Sequence, residues 1–465
     1  RVLICLLIVI LPDILHAQYF GRNKVQYEDF DFEVLHSPYF DIYHYSDSKD
    51  AVDELAILSE QWHNRHAQVF RFTFSRENPL ILYANHADFQ QNNIVPNVGV
   101  GTGGVTEGLR NRVIMPIAES NRSTDHVLGH ELVHAFQYRL AKGSNIGGIR
   151  ATSGIPLWFI EGMAEYLSLG SEDTHTAMWM RDAVLHDDLP DIKQLANSRE
   201  YFPYRYGHSL WSFMTGLYGD QIIRPLYIGT ATSSFKSALQ DTLNISTDSL
   251  SGLWHSALRS AYSEDVERAT APDEIGEPIF DEDSDFLRSS PSLSPDGDYI
   301  VYISNEDLFS LEWYLADART GDVIRSLTNT VTDPHLNALR FIESTGSWSP
   351  DGERFAAVVF KKGDNQLIII DPHSGDITRE IGFDEVDAMT NPAWSPDGET
   401  IAFSGSGGGY SNLWLYHVEE DSLEQLTDDK HSDLQPAWTP GGQQLAFVSD
   451  RGPDTDLENL VFGEM

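Results

Sequence analysis

The order of apolar and polar positions divides the 465-residue chain into two unlike halves. In the first half, apolar residues recur at helical spacing over 49–70 and 123–142 and alternate or run together as in strands at 39–45 and 79–85. Another strand is predicted at 111–117, and further helices are predicted at 156–170, 206–219 and 249–263. Helices and strands mixed in this way are typical of an α+β domain.

The second half repeats one pattern four times, at 291–304, 346–360, 392–405 and 436–450. In each copy a strand leads into a tight turn, Ser-Pro-Asp-Gly or, in the last copy, Thr-Pro-Gly-Gly, and an alternating strand follows. Proline presets one turn residue, and glycine is free to adopt positive φ. Four short strands per unit, repeated roughly every 45 residues, indicate the blades of a β-propeller.

These repeats resemble the WD40-like repeats of the TolB-type propeller family over about residues 287–465. A ring of so few blades would leave strand edges exposed, so we expect a partial propeller of about four repeats, the last one truncated. The parent protein would then be longer. The segment 271–286 carries seven acidic residues and no basic residue between 273 and 286, and we interpret it as an acidic linker.

Charge narrows the range of partners. The chain has 31 Lys and Arg against 71 Asp and Glu, a formal net charge of −40. Such a surface repels phosphate backbones, so we expect no nucleic-acid partner.

The N-terminus has the features of an export signal. Arg1 precedes an apolar run, Val2–Leu11, which stops at Pro12, and Ala17 offers a cleavage position. We therefore predict a signal peptide at 1–18, a secreted or periplasmic protein, and no stable membrane span after signal removal. An uncleaved anchor is the alternative. Cys5, the only cysteine, lies in this segment, so the mature chain would contain no disulfide.

The segment 123–142 contains the candidate chemistry, His130-Glu131-Leu132-Val133-His134. Two histidines four residues apart lie on one helix face, as two ligands of one tetrahedral Zn²⁺ require. Glu131 could act as general base toward a water molecule. Ser123 or Thr124 is expected to cap this helix.

A second helix strengthens this interpretation. Segment 156–170 begins with proline and ends with glycine, which are common helix boundary residues. Glu161 and Glu165 lie one turn apart among large apolar residues, where carboxylates need a cation or a hydrogen-bond partner.

Together the two motifs, H-E-x-x-H and W-x-x-E-G-x-A-E-Y, resemble the gluzincin zinc metallopeptidases, the clan of thermolysin and related aminopeptidases. The resemblance implies that His130, His134 and Glu161 bind one Zn²⁺ and that Glu131 is the general base. It also implies that Glu165 supports His130 from outside the ligand shell. The 26 residues between His134 and Glu161 exceed the spacing in the aminopeptidases and indicate a distinct family of the clan.

The clan also uses an edge strand and an oxyanion donor near the metal. Strand 111–117 is either that edge strand or an ordinary strand of the sheet. Segment 201–211 offers Tyr204, Tyr206 and His208 as donors, and we select Tyr206. The glycine pattern at 99–104 lacks the context of a dinucleotide site, so we interpret it as a loop beside the cleft.

The sequence thus predicts a multidomain fold, a gluzincin-like α+β metallopeptidase domain at 19–270 and an all-β partial propeller at 287–465. The expected function is hydrolysis of peptide bonds in peptide or protein substrates by a zinc-activated water. A protein or glycan ligand would suit the propeller. Two alternatives remain: a propeller-based binding protein with a structural or vestigial zinc site, and a zinc hydrolase acting on a non-peptide amide.

Overall fold

The computed structural model describes residues 26–45, 49–95, 98–99, 101–143, 152–197, 200–270, 272–280, 286–306, 311–328, 336–339 and 346–451. The predicted export signal, Cys5 and the C-terminal segment after residue 451 lie outside the described residues.

The N-terminal half is built on a five-stranded sheet in the order β1-β2-β3-β5-β4. Its strands are β1 (Glu33–His36), β2 (Phe40–His44), β3 (Asn78–Tyr83), β4 (Val105–Glu107) and β5 (Arg112–Pro116). The three central strands run parallel, and β1 and β4 add antiparallel edges. The strand predicted at 111–117 is therefore β5, which pairs on both sides, and the edge position belongs to β4. This excludes the edge-strand interpretation of that segment.

The helices of this half are α1 (Lys49–Phe70), α2 (His86–Gln90), α3 (Asn121–Gly143), α4 (Leu157–Leu169), α5 (Thr174–Leu185), α6 (Ile192–Asn197), α7 (Pro203–Tyr218), α8 (Ile223–Thr232), α9 (Phe235–Leu243), α10 (Thr247–Ala261), α11 (Ser263–Arg268) and α12 (Pro272–Ile275). A short 3₁₀ turn, Asp220–Ile222, leads into α8. The helix predicted over 49–70 has those bounds, and the helices predicted at 156–170, 206–219 and 249–263 are present as α4, α7 and α10. Helix α3 contains the candidate motif.

Helix α3 is held by the main core of the domain. Leu128, Leu132 and Phe136 are completely buried, as expected for the apolar face of this helix. Helix α1 packs so closely against α3 that a Cβ added to Gly129 would lie 2.8 Å from the Trp62 ring. Burial on this scale fixes the position and rotation of the helix.

The start of α3 differs from the expectation. The side chain of Ser120 accepts a hydrogen bond from the backbone N–H of Ser123 (3.0 Å), the geometry of a helix cap. Thr124 instead accepts a hydrogen bond from the backbone N–H of Ala118 (3.0 Å) inside the first turn. The prediction of a cap at Ser123 or Thr124 was therefore wrong by about one turn. Serine is a good capping residue at either position 120 or position 123, and the helix begins early enough for Ser120 to be the cap.

The C-terminal half consists of antiparallel sheets in chain order. The first has β6 (Arg288–Leu293), β7 (Tyr299–Ser304), β8 (Glu312–Asp317) and β9 (Val323–Ser326). The second has β10 (Leu336–Leu339), β11 (Ser347–Trp348), β12 (Phe355–Lys361), β13 (Asp364–Ile370) and β14 (Ile377–Ile381). The third has β15 (Ala388–Trp394), β16 (Thr400–Gly407), β17 (Tyr410–His417) and β18 (Ser422–Gln425), followed by the pair β19 (Asp433–Trp438) and β20 (Leu445–Ser449). Successive four-strand meanders are the form of propeller blades.

The repeated turn has the conformation expected from its residues. Gly297, Gly352, Gly398 and Gly442 all have positive φ, between 69° and 79°. In the first turn the Ser294 hydroxyl donates to Asp296 Oδ1 (2.6 Å) and accepts from the backbone N–H of Tyr299 (2.9 Å). The repeated tryptophan joins neighbouring sheets, since Trp438 Nε1 donates to the carbonyl of Ala393 at 3.0 Å. The prediction of a turn with glycine at positive φ is confirmed.

The two halves meet at the start of α3. The backbone N–H of Asn121 donates to Ser432 Oγ (2.9 Å), and its side-chain amide donates to the carbonyl of Lys430 (2.9 Å). Ser411 Oγ donates to the carbonyl of Glu119 (2.6 Å). The helix that carries the candidate metal ligands therefore begins against the propeller strands.

Within the part of the chain that the structure describes, none of the helices has the length and apolar character needed to cross a membrane.

Candidate metal centre

Helices α3 and α4 bring the three predicted ligands together. His130 Nε2 lies 3.2 Å from His134 Nε2, and Glu161 Oε2 lies 3.3 Å from the first and 3.2 Å from the second. The histidines come from successive turns of α3, and the glutamate comes from the facing turn of α4. These atoms form a nearly equilateral triangle.

This triangle fits a tetrahedral metal ion. Zn²⁺ binds nitrogen and carboxylate oxygen at about 2.0–2.1 Å, and two such ligands of a regular tetrahedron are about 3.3 Å apart. The three separations in the structure, 3.2–3.3 Å, agree with this value. The donor set of two imidazoles and a carboxylate is also one that Zn²⁺ prefers.

The electrostatics of the cluster favour positive charge at its centre. Burial by itself would lower the pKa of His130, but hydrogen bonds with Glu161 and Glu165 raise it to about 10. Burial would raise the pKa of Glu161, yet the charge of His134 and hydrogen bonds with both histidines hold it well below its usual range. The carboxylates are therefore arranged to compensate a cation, and a divalent ion satisfies the same requirement.

Each histidine is oriented through its second ring nitrogen. His130 Nδ1 lies 3.0 Å from Glu165 Oε1, and His134 Nδ1 lies 3.0 Å from Gln137 Oε1. Contacts of this kind select the tautomer that leaves Nε2 for a metal. Glu165 therefore contacts His130 from outside the ligand triangle, where the resemblance placed it. Gln137 was not identified from the sequence, although its place three residues after His134 on the same helix was a usable signal.

Glu165 is itself fixed by two cationic or polar neighbours. Arg205 Nη1 from α7 lies 2.8 Å from Glu165 Oε2, and His126 Nε2 lies 3.4 Å from Oε1. Arg205 also reaches Asp173 Oδ2 at 3.3 Å. The guanidinium of Arg205 already neutralises this carboxylate. We therefore interpret His126 and Glu165 as residues that hold the ligand His130 in place, and not as ligands of a second metal ion. The sequence pointed to neither Arg205 nor His126.

The candidate base, Glu131, lies beside the cluster and under the edge of the sheet. Thr106 Oγ1 on β4 donates to Glu131 Oε2 (2.7 Å) and also contacts its backbone carbonyl (2.8 Å). A Cβ on Gly104 would lie 2.8 Å from Glu131 Cγ and 3.1 Å from Oε1. Because Gly104 has no side chain, the chain can pass directly over this carboxylate, so residues 101–104 form a loop close to the candidate base.

Tyr204, and not the predicted Tyr206, faces the ligands. The Tyr204 ring stacks over the ring of His130, with centroids 5.9 Å apart and planes 15° apart. Burial, the charges of Glu161 and Glu131 and a hydrogen bond to Glu161 raise the pKa of Tyr204 above its usual range. Its hydroxyl therefore lies among the site carboxylates.

Tyr206 points elsewhere. Its ring contacts Tyr201 at 5.5 Å and Trp179 at 6.3 Å, and burial together with Asp188 and Asp182 raises its pKa to about 12. Residues two apart on a helix lie on nearly opposite faces. Since α7 begins at Pro203, its first turn directs position 204 to the metal centre and position 206 away from it. This corrects the choice of Tyr206.

A contact between two glycines places α7 against α4. A Cβ on Gly162 would lie 2.2 Å from the backbone carbon of Gly207, and a Cβ on Gly207 would lie 2.2 Å from the carbonyl oxygen of Trp158. Only residues without a side chain permit this separation. Gly162 directly follows Glu161 on α4, and Gly207 lies within one turn of Tyr204 and Arg205 on α7. The close contact of the two helices therefore brings Tyr204 and Arg205 to the metal centre.

The fold and the site thus define a two-part protein, a helix-rich region with a candidate metal centre and a propeller-like β region. The first region contains a match, over residues 99–191, to the family model described as a peptidase of plants and bacteria. The second contains a match, over residues 335–457, to the TolB beta propeller domain. The matched peptidase segment includes His130, Glu131, His134, Glu161 and Glu165. The assignment to the gluzincin clan remains a prediction.

Among solved structures, a putative TolB from Agrobacterium tumefaciens is 27% identical, with 36% of this chain and 55% of that chain covered and a TM-score of 0.30. TolB from Acinetobacter baumannii is 22% identical, with 37% and 39% covered and a TM-score of 0.30. The chain thus spans about half or less of the length of these relatives.

Proposed function

We propose that this chain is an exported, zinc-dependent metallopeptidase. The observation that carries the proposal is the triangle of His130 Nε2, His134 Nε2 and Glu161 Oε2, with separations of 3.2–3.3 Å. Glu131, the residue expected to act as base, follows His130 on the same helix, and its charge acts on both histidines. The match to a peptidase family over 99–191 supports the same reaction class. Export rests on the N-terminal sequence, in which Arg1 precedes an apolar run that stops at Pro12.

The three triangle residues would hold the metal. When bound, Zn²⁺ supplies Lewis-acid chemistry, polarising a carbonyl and increasing the acidity of water. Gln137 and Glu165 hold the two imidazoles in the orientation that presents Nε2. A purely structural zinc site would not need an additional carboxylate such as Glu131 next to its ligands.

Glu131 moves the proton. Thr106 occupies Oε2, so the carboxylate is fixed in rotation and Oε1 can accept the proton of the attacking water. The same carboxylic acid then donates that proton to the leaving amine. No covalent bond between enzyme and substrate is needed.

Strand β4 and Tyr204 suit the remaining tasks. β4 is the edge of the sheet and carries Thr106, so an extended peptide paired with β4 would pass next to Glu131. Tyr204, stacked on His130, is placed to donate a hydrogen bond to the developing oxyanion.

Metal removal tests the proposal. We expect the full chain to contain about one Zn²⁺ per molecule and to cleave casein or a peptide library. Dialysis against a chelator should reduce cleavage at least about 100-fold, since the residues alone provide no electrophile, and added Zn²⁺ should restore it. Metal is measured by mass spectrometry and cleavage by product mapping. Activity that persists in the metal-free protein would contradict the proposal.

Replacing Tyr204 by Phe tests whether Tyr204, and not Tyr206, donates the hydrogen bond to the oxyanion. We expect kcat to fall about 10- to 100-fold with little change in KM, because the lost hydrogen bond is made mainly in the transition state. Tyr206→Phe is the matched control on the same helix turn and should remain within about twofold of wild type. Equal losses in both variants would show that Tyr204 has no specific role.

A further inference from the structure

A row of aromatic rings leads from the metal centre to the surface. Tyr204 stacks over His130, Phe202 stacks on Tyr204 with centroids 5.2 Å apart, and Trp179 lies 5.5 Å from Phe202. Phe202 is 42% exposed and Trp179 is 39% exposed. We call Trp179, Phe202 and Tyr204 the aromatic shelf. Of these three residues, only Tyr204 has a role in the proposed hydrolysis.

The two outer rings are not explained by packing of the core. Helix α5 buries Thr176, Met180 and Ala183, and Trp179 lies beside that face with much of its ring in solvent. Large apolar side chains left exposed next to a site commonly mark a binding surface.

Phe202 also occupies a position where another residue type would serve the helix better. It is the N-cap of α7 and makes no side-chain capping hydrogen bond. Ser, Thr, Asp or Asn at this position would satisfy a free backbone N–H. A phenylalanine forgoes that contribution and places its ring on Tyr204 instead, which indicates a use for the ring.

The shelf is attached firmly to the metal centre. Asp173, the N-cap of α5, accepts hydrogen bonds from the backbone N–H of Thr176 (2.7 Å) and from Arg205 (3.3 Å). Arg205 in turn binds Glu165, which holds His130. Trp179 and Phe202 therefore keep a defined position relative to the candidate ligands.

We propose that the aromatic shelf is a specificity subsite that binds a large apolar side chain, preferably aromatic, of the peptide substrate. This inference rests on the proposed peptidase function. An extended peptide advances about 3.3 Å per residue, so the shelf lies within a few residues of the bond that is cut. Phe, Tyr, Trp or Leu at that substrate position would cover ring surface that is otherwise in water.

The surroundings of the shelf disfavour acidic side chains. Asp182 lies three residues after Trp179 on α5, and its side chain is 71% exposed. Burial, with smaller contributions from the charges of Asp188 and Asp182, raises the pKa of the adjacent Tyr206. With a chain charge of −40 in addition, substrates with Asp or Glu at this position should be the poorest.

The test is cleavage-site mapping with Phe202→Ala, Trp179→Ala and the matched control Leu253→Ala, an exposed apolar residue on α10. For the zinc-loaded wild type we expect Phe, Tyr, Trp or Leu at one fixed position relative to the cut. Phe202→Ala should lower kcat/KM for those peptides about 10- to 30-fold and leave peptides with Ala at that position within about twofold. Leu253→Ala should change neither.

Two results would overturn the subsite. One is an equal loss for all peptides in Phe202→Ala, and the other is a wild-type preference for Lys, Arg or acidic residues at every position. If wild type cleaves nothing, the peptidase proposal fails first. Binding then tests the shelf separately: calorimetry on zinc-loaded Glu131→Gln with a phenylalanine-rich peptide and its alanine analogue. Equal affinity for the two peptides would also refute the subsite. So would a preference for the phenylalanine peptide that is unchanged in the double variant Glu131→Gln/Phe202→Ala.

Discussion

Replacing Glu131 by Gln is expected to lower kcat for peptide hydrolysis about 10³-fold, or below detection, while the protein keeps its Zn²⁺. The amide has the shape of the carboxylate and can still accept the hydrogen bond from Thr106. It cannot accept a proton from water, and proton transfer by a positioned base contributes about 10²- to 10⁴-fold. The measurements are single-peptide kinetics and metal content on the same preparation.

The control for this variant is Glu172→Gln, which removes the same charge from an exposed loop residue of the same domain. We expect it to behave as wild type. Unchanged hydrolysis in Glu131→Gln with zinc retained would refute the mechanism. Stoichiometric zinc in a wild type that cleaves no peptide would instead favour one of the two alternatives, a propeller-based binding protein with a structural zinc site or a hydrolase of non-peptide amides.

Replacing Gly207 by Ala is expected to destabilise the helix-rich N-terminal half by about 3 kcal/mol or more. The added methyl group would lie 2.2 Å from the carbonyl oxygen of Trp158 and 2.9 Å from Cα of Gly162. Both obstacles are backbone atoms of α4, so they cannot turn aside as a side chain can. Helix α7 must move, and Tyr204 and Arg205 move with it.

Gly216→Ala, on the same helix, is the matched control. A Cβ at Gly216 meets no atom within 4 Å, and alanine favours a helix by up to about 1 kcal/mol over glycine. We therefore expect a melting temperature equal to or above that of wild type. Thermal unfolding and zinc affinity are measured on both variants. Equal melting temperatures for Gly207→Ala and wild type would show that the close crossing of α4 and α7 is not required.

Features that depend on residues close in sequence were predictable, and contacts between distant elements were not. Spacing along one helix anticipated the pairing of His130 with His134, because residues four apart share a face whatever the rest of the fold does. The repeated turns were predictable for the same reason, since proline and glycine set their own backbone angles. The strand at 111–117 was found, but its neighbours in the sheet were not encoded locally.

Side chains that support the metal centre from other helices and strands could not be predicted from the sequence. Thr106 and Arg205 lie 25 and 40 residues from the carboxylates they contact. Neither residue type is unusual where it occurs, so no local signal marks it. The sequence predicted this helix over 206–219, whereas α7 begins at Pro203. The first turn, which directs Tyr204 to the metal centre and Tyr206 away from it, was therefore not predicted.

The sequence by itself determined the two-part organisation, the blade-like repeats and the candidate ligands, including Glu161 on the second helix through its resemblance to known motifs. These depend on periodicity and spacing within single elements. Only the tertiary structure decided that the three ligand atoms meet at 3.2–3.3 Å, which tyrosine faces them, which strand forms the edge, and that an aromatic shelf continues to the surface. Those facts depend on how helices and strands pack, and at Gly162 and Gly207 packing is governed by the absence of side chains.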